Sequence, residues 1–446
     1  MENYIHRKKF SSGQTSYWVC VNENCKGKVN LLDNVIVKRS EHCHEPETSK
    51  IASIQQKNNA KEIAGQSTYC NVKSAYNEAT NAVISSSTLP IDEILSGLKT
   101  FGQLKGTINR VRASRFPSLP KLRSEIDIPI GLQFSGDEKF FQVSDGDDDK
   151  ILVFATNPFL HHLCASGHVY ADGTFKSVPH LFASLYTLHV MINSIMVPVV
   201  YALMPDSTMI TYVRLFRIIQ DLCCKLDLTW RPTEFTTDFE LATIKAINLI
   251  FPACELKCCL FHFSQSLWRN VGKHGLVERY KANVDNVKTT VKRISALPFL
   301  PISDIEPTYA LIKNEAPDDL AMKQFMEYFE DTYLANDPRF PMEIWNHFND
   351  SDPRTNNHVE GWHSSLNKAV GRNHANIYQF IQTLIKQQNN YEIQLLIASH
   401  GIRPQKNRKY QLITEKILNL TKDYSENRIS ALEFIDKVKY CNTLQA

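Results

Sequence analysis

The chain has 446 residues, 43% of them hydrophobic, enough for a sizeable core and, at about 100–200 residues per domain, for two to four domains. A formal charge of +3 excludes a polycationic or polyanionic protein, so the placement of basic residues carries more information than their sum. Eleven cysteines, an odd number, behind a polar N-terminus with no apolar signal core, are expected to be reduced thiols and metal ligands in the nucleus or cytosol.

Residues 1–48 read as a small metal module. Cys20 and Cys25, with four residues between them, make a turn that can grip zinc. His42 and His44, two apart, share one face of an extended strand and could complete a tetrahedron from there. Cys43 lies between them and should point away, yet its thiolate could displace either imidazole. An incidental Cys/His cluster on a small sheet is the other reading. The pattern resembles the FLYWCH-type zinc finger, met here by Phe10, Trp18, Cys20, Cys25, His42 and His44. Its charge, with Arg7, Lys8, Lys9, Lys26, Lys28, Lys38 and Arg39 among several acids, suits DNA or protein as partner.

Residues 49–90 are polar and show no sustained apolar period, which predicts a linker with at most transient helix. Residues 91–150 are read as a basic helical region. Between Ile94 and Ser124 stand Lys99, Lys105, Arg110, Arg112, Arg115, Lys121 and Arg123 and no acid, with Leu98, Phe101, Leu104, Ile108 and Val111 at helical spacing. Such a unit can clamp a phosphate backbone, or present only a solvated helix face. The acidic stretch SGDEKFFQVSDGDDDK lacks the ligand spacing of a calcium loop and is read as an exposed turn.

From 151 the pattern changes to strand ILVFA, helix NPFLHHLCAS and strand GHVYADGTF, which carries Asp172. The run Leu181–Pro205 has the length of a membrane span, but His189, Asn193 and Ser194 interrupt it. Asn193-Ser194 sits midway between two β-branched, aromatic-rich segments, which predicts a buried hairpin and no membrane. A helix follows Pro205 with Asp206 as its cap. Then come a strand running into Asp238, a helix with Leu241, Ile244, Ile247 and Ile250, the strand CELKCCLF and a further helix. Three strands followed by alternating helix and strand is the order of the ribonuclease-H-like fold, an α/β architecture with a mixed sheet. That order places Asp172 and Asp238 at the ends of adjacent strands, a hard oxygen site suited to magnesium or manganese.

YADGTF, TTDFELATIKAINLIFP and CLFHFSQSLWRNV together resemble the MULE (Mutator-like element) transposase domain. The resemblance implies a catalytic core over about 151–375, with Asp172 and Asp238 as its first two acids and Cys259 and His262 as its C-x₂-H signature. It also implies a third acid from a helix, for which Glu360 is the candidate. Val359, Trp362, Leu366 and Val370 form an apolar stripe around it, with Asn356, Glu360, His363 and Asn367 on the other face. The long gap from Asp238 implies a helical insertion at about 264–350. Glu240 is the rival to Glu360, although a helix start favours an acid there in any case. Cys259 and His262 alone do not make a zinc site; a structural or DNA-positioning role is expected.

The activity implied is cutting of transposon ends and joining to target DNA by two divalent ions held by Asp172, Asp238 and Glu360. Double-stranded DNA, a homo-oligomer, structural zinc and a nuclear location follow as expectations. The competing readings are a domesticated, catalytically silent DNA-binding regulator and, more weakly, a ribonuclease or exonuclease. Residues 376–446 read as a helical tail, with Arg403, Lys406, Arg408 and Lys409 as a DNA or nuclear-import contact or a charged linker.

Overall fold

The computed structural model describes residues 4–33, 35–66, 72–86, 91–114, 118–348, 350, 357–402 and 408–441. Arg115, Asn356, Arg403 and Lys406 lie outside them. The chain forms two compact units, residues 1–119 and 120–446.

The first unit begins with an antiparallel sheet of β1 (His6–Ser12), β2 (Thr15–Cys20), β3 (Lys28–Leu32) and β4 (Val35–Arg39), in that order. Its strands are mostly half-buried or exposed, and Phe10 and Val37 are more than half exposed. So thin a core needs a staple. Four helices follow: α1 (Thr48–Gln66), α2 (Val72–Ser86), α3 (Ile91–Gly97) and α4 (Phe101–Ala113).

Within the expected linker at 49–90, the described residues 49–66 and 72–86 are therefore helical. Ala60, Ala64, Ala75 and Ala79 pack with Leu104 and Ile108, and Ala52 packs with Val83 and Ile94. Alanine is the best helix former and lets helices approach closely, so a narrow alanine stripe does the work of a wider apolar face. Gln56, wholly buried, donates to Thr80 Oγ1 and the Lys99 carbonyl and accepts from the Lys99 amide. At Gly97 an added Cβ would stand 1.9 Å from the Ser49 carbonyl, so only glycine fits there.

The second unit opens with the paired short strands β5 (Phe134–Ser135) and β6 (Glu138–Lys139). Next come β7 (Phe141–Asp145), β8 (Ile151–Phe154), α5 (Asn157–Ala165), β9 (His168–Thr174), β10 (Ser184–Ile192), β11 (Ile195–Met204) and α6 (Met209–Cys224). β12 (Glu234–Thr237), α7 (Leu241–Ile250), β13 (Glu255–Cys258) and α8 (Leu260–Lys273) complete the sheet region. The acidic stretch before Lys150 is thus not a free turn: it contains the edge strand β7, and Asp145 and Asp149 are ion-paired with Arg214 on α6. Asp206 does not cap α6 directly. Thr208 is the N-cap, and Asp206 braces it by accepting from the Thr208 amide and the Thr211 hydroxyl.

The seven-stranded sheet has the order β13-β12-β9-β10-β11-β8-β7, with β12 parallel to β9 and β13 and the remaining pairs antiparallel. The long apolar run is the β10–β11 hairpin. Asn193 (φ 50°) and Ser194 (φ 67°) are both left-handed, as a tight two-residue hairpin loop requires. Among the described residues no helix is long and apolar enough to cross a membrane.

Helices α9 (Val277–Ala282), α10 (Val287–Ala296), α11 (Ile302–Glu315), α12 (Leu320–Phe329) and α13 (Met342–Trp345) fill the segment after α8. The unit closes with α14 (Asn357–Val370), α15 (Ile377–Ser399), α16 (Arg408–Ser425) and α17 (Ala431–Val438). The last two helices belong to the body of the unit: Ile417, Leu420, Phe434, Ile435 and Val438 join the main core, and Arg293 grips the Asp436 carboxylate with two hydrogen bonds.

Candidate active site and N-terminal metal site

Strand alternation decides where Asp172 points. Val169 and Ala171 join the main core, so Tyr170 and Asp172 face the opposite side of the sheet. On β10 the same logic sends Tyr186, Leu188 and Val190 into the core and Thr187 and His189 to the side of Asp172, and Thr187 pairs directly with Asp172 across the strands. On β12, Thr236 pairs with Tyr170 in parallel; two residues further along each strand lie Asp238 and Asp172. The two acids therefore stand at the same level of neighbouring strands.

Glu360 comes beside Asp172 because α14 docks on that side of the sheet. Val359 packs with Tyr170 and Met196, and Trp362 lies edge-on to His189 (5.3 Å) and against Tyr201 (5.7 Å). The apolar stripe expected from the sequence is the docking face, with Val359 and Leu366 wholly buried. His363 departs from expectation: it is 7% exposed and turns inward, its Nδ1 3.4 Å from Asp172 Oδ2. Glu360 Oε1 lies 3.4 Å from His262 Nε2 on α8.

Two clefts meet at His262. One, of about 700 Å³, is lined by Asp172, His262, Glu360, His363, Lys176, Lys368 and Arg372, among others. The other, of about 510 Å³, is lined by Asp238, Glu240, His262, Arg269, Phe175 and Arg339, among others. Each thus joins acids to cations and an open mouth. Burial, with repulsion from Asp172 and Glu240, pushes the Asp238 carboxyl up to about 7; burial and Asp172 push Glu360 up to about 8. Asp172 itself is 5% exposed, its Oδ1 accepting from the Gly173 amide. Burial is the larger cause of both shifts, and repulsion among the acids adds to it. Their oxygens are not gathered within 4.8 Å as a set; among the described residues only the N-terminal cluster meets that distance.

Glu240 is occupied structurally. It is the residue before α7, and its Oε2 accepts from the Tyr212 (2.7 Å) and Thr243 (3.0 Å) hydroxyls. Cys259, wholly buried, precedes α8, and its amide donates to the Thr237 carbonyl, which ties that helix to the end of β12. Cys259 and His262 belong to no metal-ligand set among the described residues.

In the first unit, Cys20, Cys25, His42 and His44 bring one ligand atom each to within 4.8 Å of the others and could hold a metal ion. Cys20 Sγ is 3.2 Å from His44 Nε2, and Cys25 Sγ is 3.3 Å from His42 Nδ1. His44 Nδ1 faces the Glu45 carbonyl at 2.8 Å, which puts its proton there and leaves Nε2 free to ligate. The Cys43 amide and other donors lower the Cys25 thiol to about 7, favouring the thiolate a metal needs. Tyr4 stacks on His42 at 3.8 Å, and a Cβ at Gly27 would come within 2.6 Å of the His42 ring. Cys43 is not one of the four: its thiol donates to the Asn24 carbonyl, while its side chain stays within reach of the Cys25 thiol.

The basic residues from 99 to 123 do not form one patch on one element. Lys105, Arg110 and Arg112 lie on α4 and Lys99 just before it, in the first unit. Lys121 and Arg123 open the second, and Arg123 donates to the Pro205 carbonyl. Sequence reasoning missed Lys176, Lys368, Arg372 and Arg269 beside the acids. Lys368 and Arg372, eight and twelve residues after Glu360, were the signal for a basic rim.

A family model for the MULE transposase domain matches residues 168–266, the span from the start of β9 into α8. No curated protein matches the chain.

Proposed function

We propose that this chain is a DNA transposase of the Mutator-like class, built on a ribonuclease-H-like core. The match to a MULE transposase domain supports the family reading, and the sheet supports the core: β11-β10-β9-β12-β13 runs 3-2-1-4-5 in chain order, the ribonuclease-H-like arrangement. The observation that carries the catalytic reading is that Asp172 has an acid from a distant segment on each side, Asp238 and Glu360, and repels both, adding to the burial that raises their carboxyl pKa values.

That donor set fits hard divalent cations, since half-buried and buried carboxylates that repel one another across a cleft are what magnesium or manganese satisfies. Asp172, Asp238 and Glu360 would hold them, and bound ions would activate a water or 3′-hydroxyl and stabilise the leaving oxygen at a phosphodiester. The chain's own residues do the placing. The Gly173 amide holds the Asp172 carboxylate, His363 Nδ1 lies 3.4 Å from it and His262 Nε2 3.4 Å from Glu360, and Lys176, Lys368, Arg372 and Arg269 offer the phosphate backbone its counter-charge. Cys20, Cys25, His42 and His44 are read as a zinc site of the FLYWCH type, and the protein as a nuclear DNA-binding homo-oligomer.

The test is cleavage and strand transfer on DNA carrying terminal inverted repeats, with magnesium or manganese, by the full chain and by Asp172→Asn, Asp238→Asn and Glu360→Gln. Metal-dependent cleavage that each substitution abolishes supports the proposal. Sequence-specific binding without cleavage by the unaltered chain overturns it in favour of a regulator.

A further inference from the structure

We propose that His363 is the positioning residue of Asp172, held to that task by a buried relay through Thr187 to His189; the inference rests on reading Asp172 as a metal-binding acid. Nothing in the motifs points to it. The relay comes from the register of β9 and β10, which sets Thr187 opposite Asp172 and His189 opposite Tyr170, and from α14 lying across both. Thr187 Oγ1 is 2.9 Å from His189 Nε2 and 3.3 Å from His363 Nε2, and His363 Nδ1 is 3.4 Å from Asp172 Oδ2. Thr187 and His189 are wholly buried, and His363 and Asp172 nearly so.

One arrangement of the protons in this chain serves the acid. Burial keeps His189 neutral, so its ring carries a single N–H. Its Nδ1 has no partner, and buried N–H groups are left without an acceptor more rarely than acceptors without a donor, so the proton is assigned to Nε2, toward Thr187. The Thr187 hydroxyl accepts it, and its own hydrogen has two acceptors at 3.3 Å, the Asp172 backbone carbonyl and His363 Nε2; given to His363, it makes that ring nitrogen the acceptor. That places the His363 proton on Nδ1, facing Asp172 Oδ2. With Oδ1 held by the Gly173 amide, both oxygens of the carboxylate are oriented, and each keeps a lone pair for the cleft.

Thr187 is the link to remove, because valine fills the same space without the hydroxyl. The experiment measures Mn²⁺ binding by calorimetry to the full chain and to Thr187→Val, Thr187→Ser and Asp172→Asn, each checked by melting temperature. Thr187→Val is expected to bind Mn²⁺ about 10–100-fold more weakly, the usual cost of losing a partner that orients a ligand. Thr187→Ser, which keeps the hydroxyl, should return to within a few-fold of the unaltered chain. Thr187→Val binding like the unaltered chain while Asp172→Asn is impaired removes the relay alone. Thr187→Ser failing as badly as Thr187→Val reduces the residue to packing and also overturns the proposal. Unimpaired binding by Asp172→Asn removes the metal reading itself, and the relay with it.

Discussion

His262 Nε2 stands 3.4 Å from Glu360 Oε1 while its Nδ1 is buried with no partner. The ring's proton therefore belongs on Nε2, where it meets the glutamate; on Nδ1 it would be a buried orphan donor. This contact ties α8, which follows directly from the sheet, to α14, which arrives from almost a hundred residues later. His262→Ala is expected to slow DNA cleavage about 10–100-fold, as removal of a ligand-orienting partner does, with a near-normal melting temperature. His262→Gln keeps a donor and should recover part of the rate. Cleavage at the normal rate by His262→Ala would show that Glu360 needs no such partner.

The raised carboxyls make a pH prediction whose sign is fixed. Asp238 and Glu360 hold protons in the fold up to about 7 and about 8, against ordinary values of 3.8 and 4.5. The folded chain thus binds more protons than the unfolded one across that window. Their contribution to stability is full below the unfolded values and is lost as pH rises through the folded ones. Without divalent ions, melting temperature should fall between about pH 4.5 and 8 relative to Asp238→Asn, whose curve is flatter. A divalent ion must displace the same protons, so Mn²⁺ affinity should rise about tenfold per pH unit for each proton displaced, levelling above about 8. A Mn²⁺ affinity that does not change between pH 6 and 8 would contradict this.

How much of this could be read beforehand depends on the range over which each signal acts. Asp172 and Asp238 were legible because each lies near the end of a strand-like run, Asp172 two residues before the end of β9 and Asp238 just after β12, and strand order makes those ends neighbours. Glu360 was legible from the stripe of Val359, Trp362 and Leu366 around it. The inward turn of His363 was not, since helical spacing placed it with the polar face and its partner Thr187 is 176 residues away in sequence. His189 was visible only as an interruption in an apolar run. The helices at 48–66 and 72–86 escaped because their buried faces are alanines, too small to raise an apolar period above a polar background. The basic window from 99 to 123 looked continuous because charge is read along the chain, whereas the boundary at 119 assigns its residues to two different units.

The N-terminal cluster separates its four ligands from the cysteine beside them. Cys20→Ala and His44→Ala should each cost the bound zinc, measured by native mass spectrometry, and with it the β1–β4 sheet, whose exposed strands bury too little to persist alone. Cys43→Ser should keep one zinc per chain, because its thiol is directed at the Asn24 carbonyl. Gly27→Ala should behave like a ligand substitution, since its Cβ would collide with the His42 ring. Zinc lost on Cys43→Ser but kept on His44→Ala would reassign the fourth ligand.

Lys105 and Arg110 are exposed on α4, whose opposite side is buried through Leu104 and Ile108 against the alanine helices. Replacing both with alanine should therefore leave the fold intact and test only what their charge does. If they touch phosphates, DNA affinity falls equally for every sequence. The slope of log affinity against log salt then becomes shallower by about 0.9 for each phosphate no longer neutralised, about 1.8 for the pair. Weaker discrimination between sequences with an unchanged slope would instead mean that the two side chains meet base edges. An unchanged affinity and slope would leave α4 a solvated face and move phosphate binding to the rim of the cleft, where Lys176, Lys368 and Arg372 stand beside the acids.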